Sequence, residues 1–423
     1  MQIEPAISEL LAELKTAVLA GNRELSTQLE HIILQRLAIE ANKRDTTERE
    51  VRAIMATPPP AETAPLFSLE SLHTVRGPLK AGESKMVPVG ATSAQTGDIL
   101  YPVWFGTNRE PTADGQDFTA ERHSQTTLGR VDVHIPEAHH FGETGSDFWT
   151  KLKRLNFRND TLRVEQVTAL NAQGFFAEIN QSLAAAQAAG VASQALFFLH
   201  GYNTTFKEAA IRAAQIGCDL KVGGATAFFS WPSGGSVAAY PADEAAIEAS
   251  ERAITTFLVE FMANCQAEQV HVIAHSMGNR GLLRALQRIA ADAETRSKVK
   301  FGQIFLAAPD VDRDLFQDLA ALYPAYSTRT TLYASHRDLP VHLSAQLHRA
   351  PRAGYFEPYT VAANIDTIAV PNFNVDLLGH GYFAQAEALL HDIYDLMRQD
   401  AAPAKRQRFT VPAPGELFWR FRR

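Results

Sequence analysis

From Ala195 onward the chain alternates short, continuous apolar runs with longer stretches in which apolar residues recur every three or four positions. The runs are ALFFLH at 195–200, TAFFSW at 226–231, QVHVIAH at 269–275, QIFLAAP at 303–309, TTLYAS at 330–335 and IDTIAVP at 365–371. Apolar runs of this length, mostly separated by helical patterns, predict buried parallel strands. The amphipathic stretches predict helices over 174–189, 205–220, 242–265, 277–291 and 382–398. Upstream, ILYPVWFGTNR, GRVDVHIP and TLRVEQVTAL predict earlier strands. The fold class is therefore α/β, with a mostly parallel central sheet flanked by helices.

The ends of the chain follow other patterns. Ile7, Leu10, Leu11 and Leu14 recur at helical spacing, Gly21-Asn22 interrupts, and Leu29, Ile32, Ile33, Leu37 and Ile39 resume. This predicts an N-terminal helical module over 1–56, whose apolar faces must pack on the main domain, a second copy or a protein partner. TPPPAETAP cannot continue a helix, which places a Pro-rich linker at 57–66. The main domain then occupies 67–402, followed by a basic and aromatic tail over 403–423. The tail is expected to pack on the domain, with contact to an anionic surface as the alternative.

Composition narrows the function classes. Of 423 residues, 46% are hydrophobic and 21% charged, which is ordinary for a globular protein. Lys+Arg 40 against Asp+Glu 47 gives a net charge of −7, the wrong sign for a phosphate-backbone binder, so no nucleic-acid partner is expected. Cys218 and Cys265 are too few for a disulfide framework and fit a reducing compartment as small core residues. The first residues carry acids without a basic n-region, and no stretch approaches the roughly 20 apolar residues of a membrane span. A cytoplasmic location without a transmembrane segment is expected.

The chemistry-bearing segment is QVHVIAHSMGNRGLLRAL, where an apolar strand runs through Ala274-His275-Ser276-Met277-Gly278 directly into a helix. A nucleophile elbow has this strand–turn–helix context, with small residues two before and two after the serine. Ala274 stands where glycine is usual. By itself the motif equally describes a serine capping a helix after a buried strand. Its partners favour chemistry, because the elbow requires an acid and then a histidine downstream. Asp338 follows the strand TTLYAS, and His380, between Gly379 and Gly381, follows the last strand. In these roles His380 takes the Ser276 proton while Asp338 holds the imidazole. Asp310, Asp312 and Asp314 are rival acids. His336, His342 and His348 lie too early for the base, and His391 lies within a helix.

FFLHGYNTTF places His200-Gly201 at a strand end, so the backbone N–H groups of Tyr202 and Met277 are the expected oxyanion donors. His200, Gly201 and Trp231 are expected to border the substrate, with a packed tryptophan in an ordered WPSGG turn as the alternative. The adjacent His139 and His140 lack partners at ligand spacing, so no metal is expected. Neither G-x-G-x-x-G nor a P-loop occurs, so no cofactor is expected.

The run from Ala195 to Arg398 resembles the bacterial α/β-hydrolase family catalogued as domain of unknown function nine hundred. The likeness rests on FLHGYNTTF, FFSWPSGGS with the later Tyr240 and Asp243, IAHSMGNR, LAAPDVD, YASHRDLP and LLGHGYF, and upstream on WFGTNRE and GRVDVHIPEAHHFG. It implies an α/β-hydrolase fold over 67–402 and matches Ser276, Asp338 and His380 to a catalytic triad. The expected activity is cleavage of a carboxylic ester, on a small-molecule or lipid substrate, through an acyl-enzyme. The same apparatus serves thioesters and amides. The competing reading is an interaction or effector protein, in which residues 1–56 recruit a partner or form a homo-oligomer and the hydrolase domain is an effector or inactive.

Overall fold

The computed structural model describes residues 99–136, 162–234, 239–335, 339–355, 359–370, 383–406, 408–410, 412–413 and 415–421. The helical module predicted over 1–56 and the linker over 57–66 lie outside the described residues.

The described chain opens with a long antiparallel hairpin of β1 (Ile99–Pro111) and β2 (Phe118–Ile135), on which β3 (Arg163–Leu170) adds. After α1 (Ala172–Ala188) come β4 (Gln194–Leu199), α2 (Phe206–Asp219) and β5 (Ala225–Ser230). Helices α3 (Tyr240–Ala249) and α4 (Glu251–Asn264) lead to β6 (Gln269–His275), α5 (Gly278–Ala291) and the short α6 (Ala293–Arg296). Then follow β7 (Phe301–Ala307), α7 (Arg313–Leu319), α8 (Leu322–Tyr326) and β8 (Ser327–Ala334). After α9 (Leu339–His348), β9 (Ile365–Ala369) and α10 (Phe383–Gln399), two short strands close the chain, β10 (Phe409–Thr410) and β11 (Trp419–Phe421).

These strands form one 11-stranded sheet in the order β10-β11-β9-β8-β7-β6-β4-β5-β1-β2-β3. Neighbours from β11 through β1 are parallel. Strands β4 to β9 are buried on both faces, which explains why they read as continuous apolar runs. On β4, Ala195, Phe197 and Leu199 join a core with α1, α3, α4, α5, α7 and α8. Leu196 and Phe198 point the other way, into a core with α2 and α10. Strand alternation thus divides one apolar run between two cores.

One departure from the sequence reading has its cause in a tertiary contact. The stretch predicted as one helix over 242–265 is broken at Ser250 into α3 and α4. Ser250 Oγ donates to Ala246 C=O at 2.7 Å and accepts from Asn108 Nδ2 at 2.9 Å, so a side chain from β1 is seated at the junction. The tail, for its part, extends the sheet. Trp419 and Arg420 pair in parallel with Ile368 and Ala369 of β9. Arg406, buried, bonds Asp366 Oδ2 at 2.6 Å and Asp392 Oδ2 at 3.3 Å, which ties the tail to β9 and α10.

The topology positions the site. The chain steps from β4 outward to β5 on one side, then returns to lay β6 on the other side of β4. The loops that leave β4 and β6 diverge to opposite faces, toward α2 and α5. A crevice at the carboxyl ends of strands forms at such a switch point. His200-Gly201 directly follows β4 and Ser276 directly follows β6 at that point.

Candidate active site

Ser276 is the turn between β6 and α5, with φ at 49°. That left-handed conformation is strained for a residue with a side chain and persists only where its surroundings impose it. They do so here. The Ser276 N–H donates to Ala307 C=O at 2.9 Å, and the Ser276 C=O accepts the N–H groups of Asn279 and Asp310, both at 3.1 Å. The buried Asn279 Nδ2 donates to the carbonyls of Ala274 and Ser276 at 3.0 Å and of Ala307 at 3.3 Å. One amide thereby ties the strand end, the turn and the next strand together. Asn279 was not singled out from the sequence, since an asparagine in the first turn of a helix is unremarkable there.

Close approach explains the small residues around the turn. A Cβ on Gly278 would lie 2.5 Å from His200 O and 2.7 Å from Leu199 O, both backbone atoms. A Cβ on Gly201 would lie 3.0 Å from Ser276 Cβ. The loop after β4 is therefore in contact with the serine, and the N-terminus of α5, which favours developing negative charge, starts beside it. Ala274 is fully buried in the first-glycine position, where a methyl fits.

Two buried charges fix the loops around this contact. Arg109, at the end of β1, donates from Nη2 to Thr204 C=O at 2.7 Å and from Nη1 to the carbonyls of Ser233 at 3.0 Å and Thr119 at 3.2 Å. Its Nε donates to Ser230 Oγ at 2.9 Å. Burial lowers its pKa to about 10, which still leaves it charged at neutral pH. Asp243, on α3, accepts the Asn203 N–H at 3.0 Å, the Ser233 hydroxyl at 2.6 Å and the Gly234 N–H at 2.7 Å. Asn203 is itself left-handed, with φ at 54°. The loop after β4 and the loop after β5 are thus stapled to each other by side chains from β1 and α3. Neither charge declared a role in its own sequence neighbourhood; WFGTNRE and Asp243 entered only through the family likeness.

His200 and Trp231 lie behind the loop. Both are buried, stacked at 5.0 Å between ring centroids, and Trp231 Nε1 donates to His200 C=O at 2.9 Å. Burial, with Arg109 nearby, pushes the His200 pKa down to about 3, so the imidazole is neutral. Gly201 faces the serine directly.

Asp310 and Asp312 have partners of their own. Asp310 accepts the hydroxyls of Tyr240 and Ser344, each at 2.5 Å, and pairs with Arg280 at 3.2 Å and Arg352 at 3.4 Å. Burial opposes its ionisation, but Arg280 and then Arg352 outweigh it and hold the carboxyl below its ordinary range. Asp312 caps α7 by accepting the Asp314 and Leu315 N–H groups, and the Asp314 side chain is exposed. His348 meets Glu244 at 2.6 Å. His391 lies on α10, as expected from sequence. Asp338, His380, His336, His139 and His140 lie outside the described residues. The bounding elements are described: β8 ends at Ala334 and α9 starts at Leu339, while β9 ends at Ala369 and α10 starts at Phe383.

With this geometry in view, residues 177–399 match the family described as alpha/beta hydrolase of unknown function (DUF900). The chain belongs to that family. Family membership carries hydrolase chemistry in general and leaves the substrate open. The match ends just short of the tail that completes the sheet. Comparison with curated proteins finds no match. Among solved structures, the chain is similar to an uncharacterized protein from Bacillus cereus ATCC 10987, at 13% identity and a TM-score of 0.32. That similarity covers 49% of this chain and 60% of the other. Among the described residues of this alpha/beta hydrolase no helix is long and apolar enough to cross a membrane.

Proposed function

We propose that the chain is a serine hydrolase that cleaves a carboxylic ester through an acyl-enzyme, with Ser276 as nucleophile. The observation that carries the reading is a non-glycine residue at φ 49° between a buried strand and a helix, with Gly201 of the neighbouring strand-end loop against it. Asp338 and His380 complete the triad by their order in the sequence. Ser276 Oγ attacks the acyl carbon as His380 takes its proton, and that proton passes to the departing alkoxide. Water then attacks the acyl-enzyme, again with His380 as base, and restores the serine. The N–H groups of Tyr202 and Met277 bind the oxyanion, each worth about 3 kcal/mol of transition-state stabilisation. The step needs no cofactor. The two free thiols fit a cytoplasmic setting.

A fluorophosphonate probe and a p-nitrophenyl ester test this. The wild-type protein is expected to be labelled and to turn over the ester, and Ser276→Ala to do neither. Equal labelling of both proteins, or none of the wild type, refutes the reading.

A further inference from the structure

The hydrogen bonds behind the loop form a chain with a defined direction. Arg109 Nε, which only donates, gives its proton to Ser230 Oγ at 2.9 Å. Ser230 Oγ lies 3.3 Å from His200 Nε2, and His200 Nδ1 lies 2.7 Å from Gly201 C=O. A neutral imidazole carries one N–H. A carbonyl oxygen at 2.7 Å from Nδ1 requires that hydrogen on Nδ1. Nε2 is therefore the acceptor, and the Ser230 hydroxyl donates to it. The direction is fixed throughout, from Arg109 to Ser230 to His200 to the Gly201 carbonyl.

The last acceptor is what gives this chain a function. The Gly201 C=O and the Tyr202 N–H are the two ends of one peptide group. A proton donated to the carbonyl draws electron density from the amide nitrogen and makes its N–H a stronger donor, and linked hydrogen bonds reinforce one another in a dry interior. Arg109, Ser230, His200 and Trp231 are all buried, so water does not compete. Trp231 Nε1 donates to the His200 C=O at 2.9 Å and so fixes the preceding peptide as well.

We infer that Arg109, Ser230 and His200 form a polarising relay that strengthens the Tyr202 N–H as an oxyanion donor. The inference rests on the reading of Ser276 as nucleophile. It makes His200 a positioning and polarising residue set behind the reacting atoms. Its effect belongs to the transition state, where the oxyanion forms, and leaves ground-state binding alone.

Fluorophosphonate labelling separates the two claims, because the phosphoryl oxygen of the probe enters the oxyanion site during attack. Rates would be measured against probe concentration for the wild type, Ser230→Ala, His200→Leu and His200→Asn, each checked for folding by its urea midpoint. Ser230→Ala and His200→Leu are expected to lower the maximal labelling rate about 10-fold, part of the roughly 100-fold that loss of a whole oxyanion donor brings. The half-saturating probe concentration should stay within about twofold, since the relay acts on the transition state. His200→Asn, whose amide keeps an N–H near the Nδ1 position, should recover most of the rate. Packing alone predicts the reverse, with Asn no better than Leu in a buried apolar setting. If His200→Leu does not fold, Ser230→Ala decides. Wild-type protein that fails to label at Ser276 removes the nucleophile and the relay with it. Labelled wild type with an unchanged rate in Ser230→Ala, or a loss confined to half-saturation, overturns the relay and leaves the hydrolase reading standing.

Discussion

Mild acid should destabilise this fold, and the structure sets the size of the effect. His200 and His271 are both buried, and burial pushes their pKa values down to about 3 and about 4. A histidine has a pKa near 6.5 in the unfolded chain. Below that pH the unfolded state takes up protons that the native state refuses, so stability present above about 6.5 is lost as the pH falls. Between pH 7 and 5 each such histidine removes about 2 kcal/mol, or about 4 for the pair. Asp392 acts in the opposite direction, because burial, against the attraction of Arg406, raises its pKa to about 6. Its native carboxyl takes up a proton in this window and returns about 1 kcal/mol. From these three groups the net loss is about 3 kcal/mol; His275, pushed down to about 4, adds to it, and Asp243, whose pKa burial also raises, offsets part of it. Urea unfolding at pH 7, 6 and 5 measures the loss. The group-specific test is His271→Asn, which keeps an acceptor near the Gln303 N–H that the His271 Nδ1 takes at 3.1 Å. The wild type's advantage over this variant should shrink by about 2 kcal/mol between pH 7 and 5. A difference that stays constant with pH refutes the claim that His271 is neutral in the native state.

Two further substitutions probe the packing that supports the site. Gly278→Ala gains about 1 kcal/mol of helix propensity, but its Cβ would lie 2.5 and 2.7 Å from backbone oxygens of β4 and the loop after it. Overpacking of this kind costs about 1–3 kcal/mol, so the urea midpoint should fall and labelling at Ser276 slow. A midpoint at or above that of the wild type contradicts this reasoning. Arg406→Met leaves the buried Asp392, among the described residues, with only the Tyr333 hydroxyl, at 2.7 Å, and strips one partner from Asp366. A loss of about 3–5 kcal/mol is expected on thermal or urea unfolding, and a loss under 1 would show that the tail contributes little to the sheet.

The features legible in the sequence were those with a short-range signature. Each apolar run from 195 onward was a strand because burial on both faces leaves no polar alternation, and helical periodicity marked most of the helices. Ser276 was legible because an elbow is built from five consecutive residues between a strand and a helix. The break at Ser250 was not, since its cause is Asn108 arriving from β1, 142 residues away. The tail's strands were equally hidden, because two or three residues form a strand only when an edge such as β9 is offered to them.

The sequence by itself thus determined the class of fold and the strand–turn–helix setting of Ser276, since periodicity and local turn chemistry are written in neighbouring residues. Tertiary structure decided what surrounds the serine. It brought Arg109 to Thr204 and Ser233, Asp243 to Asn203, and a line of hydrogen bonds that joins Arg109, Ser230, His200 and Gly201. It also committed the Asp310 carboxylate to Tyr240, Ser344, Arg280 and Arg352. The physical reason is the same in each case. A buried polar group must find its partners wherever the fold places them, and that placement has no counterpart in the spacing of residues along the chain.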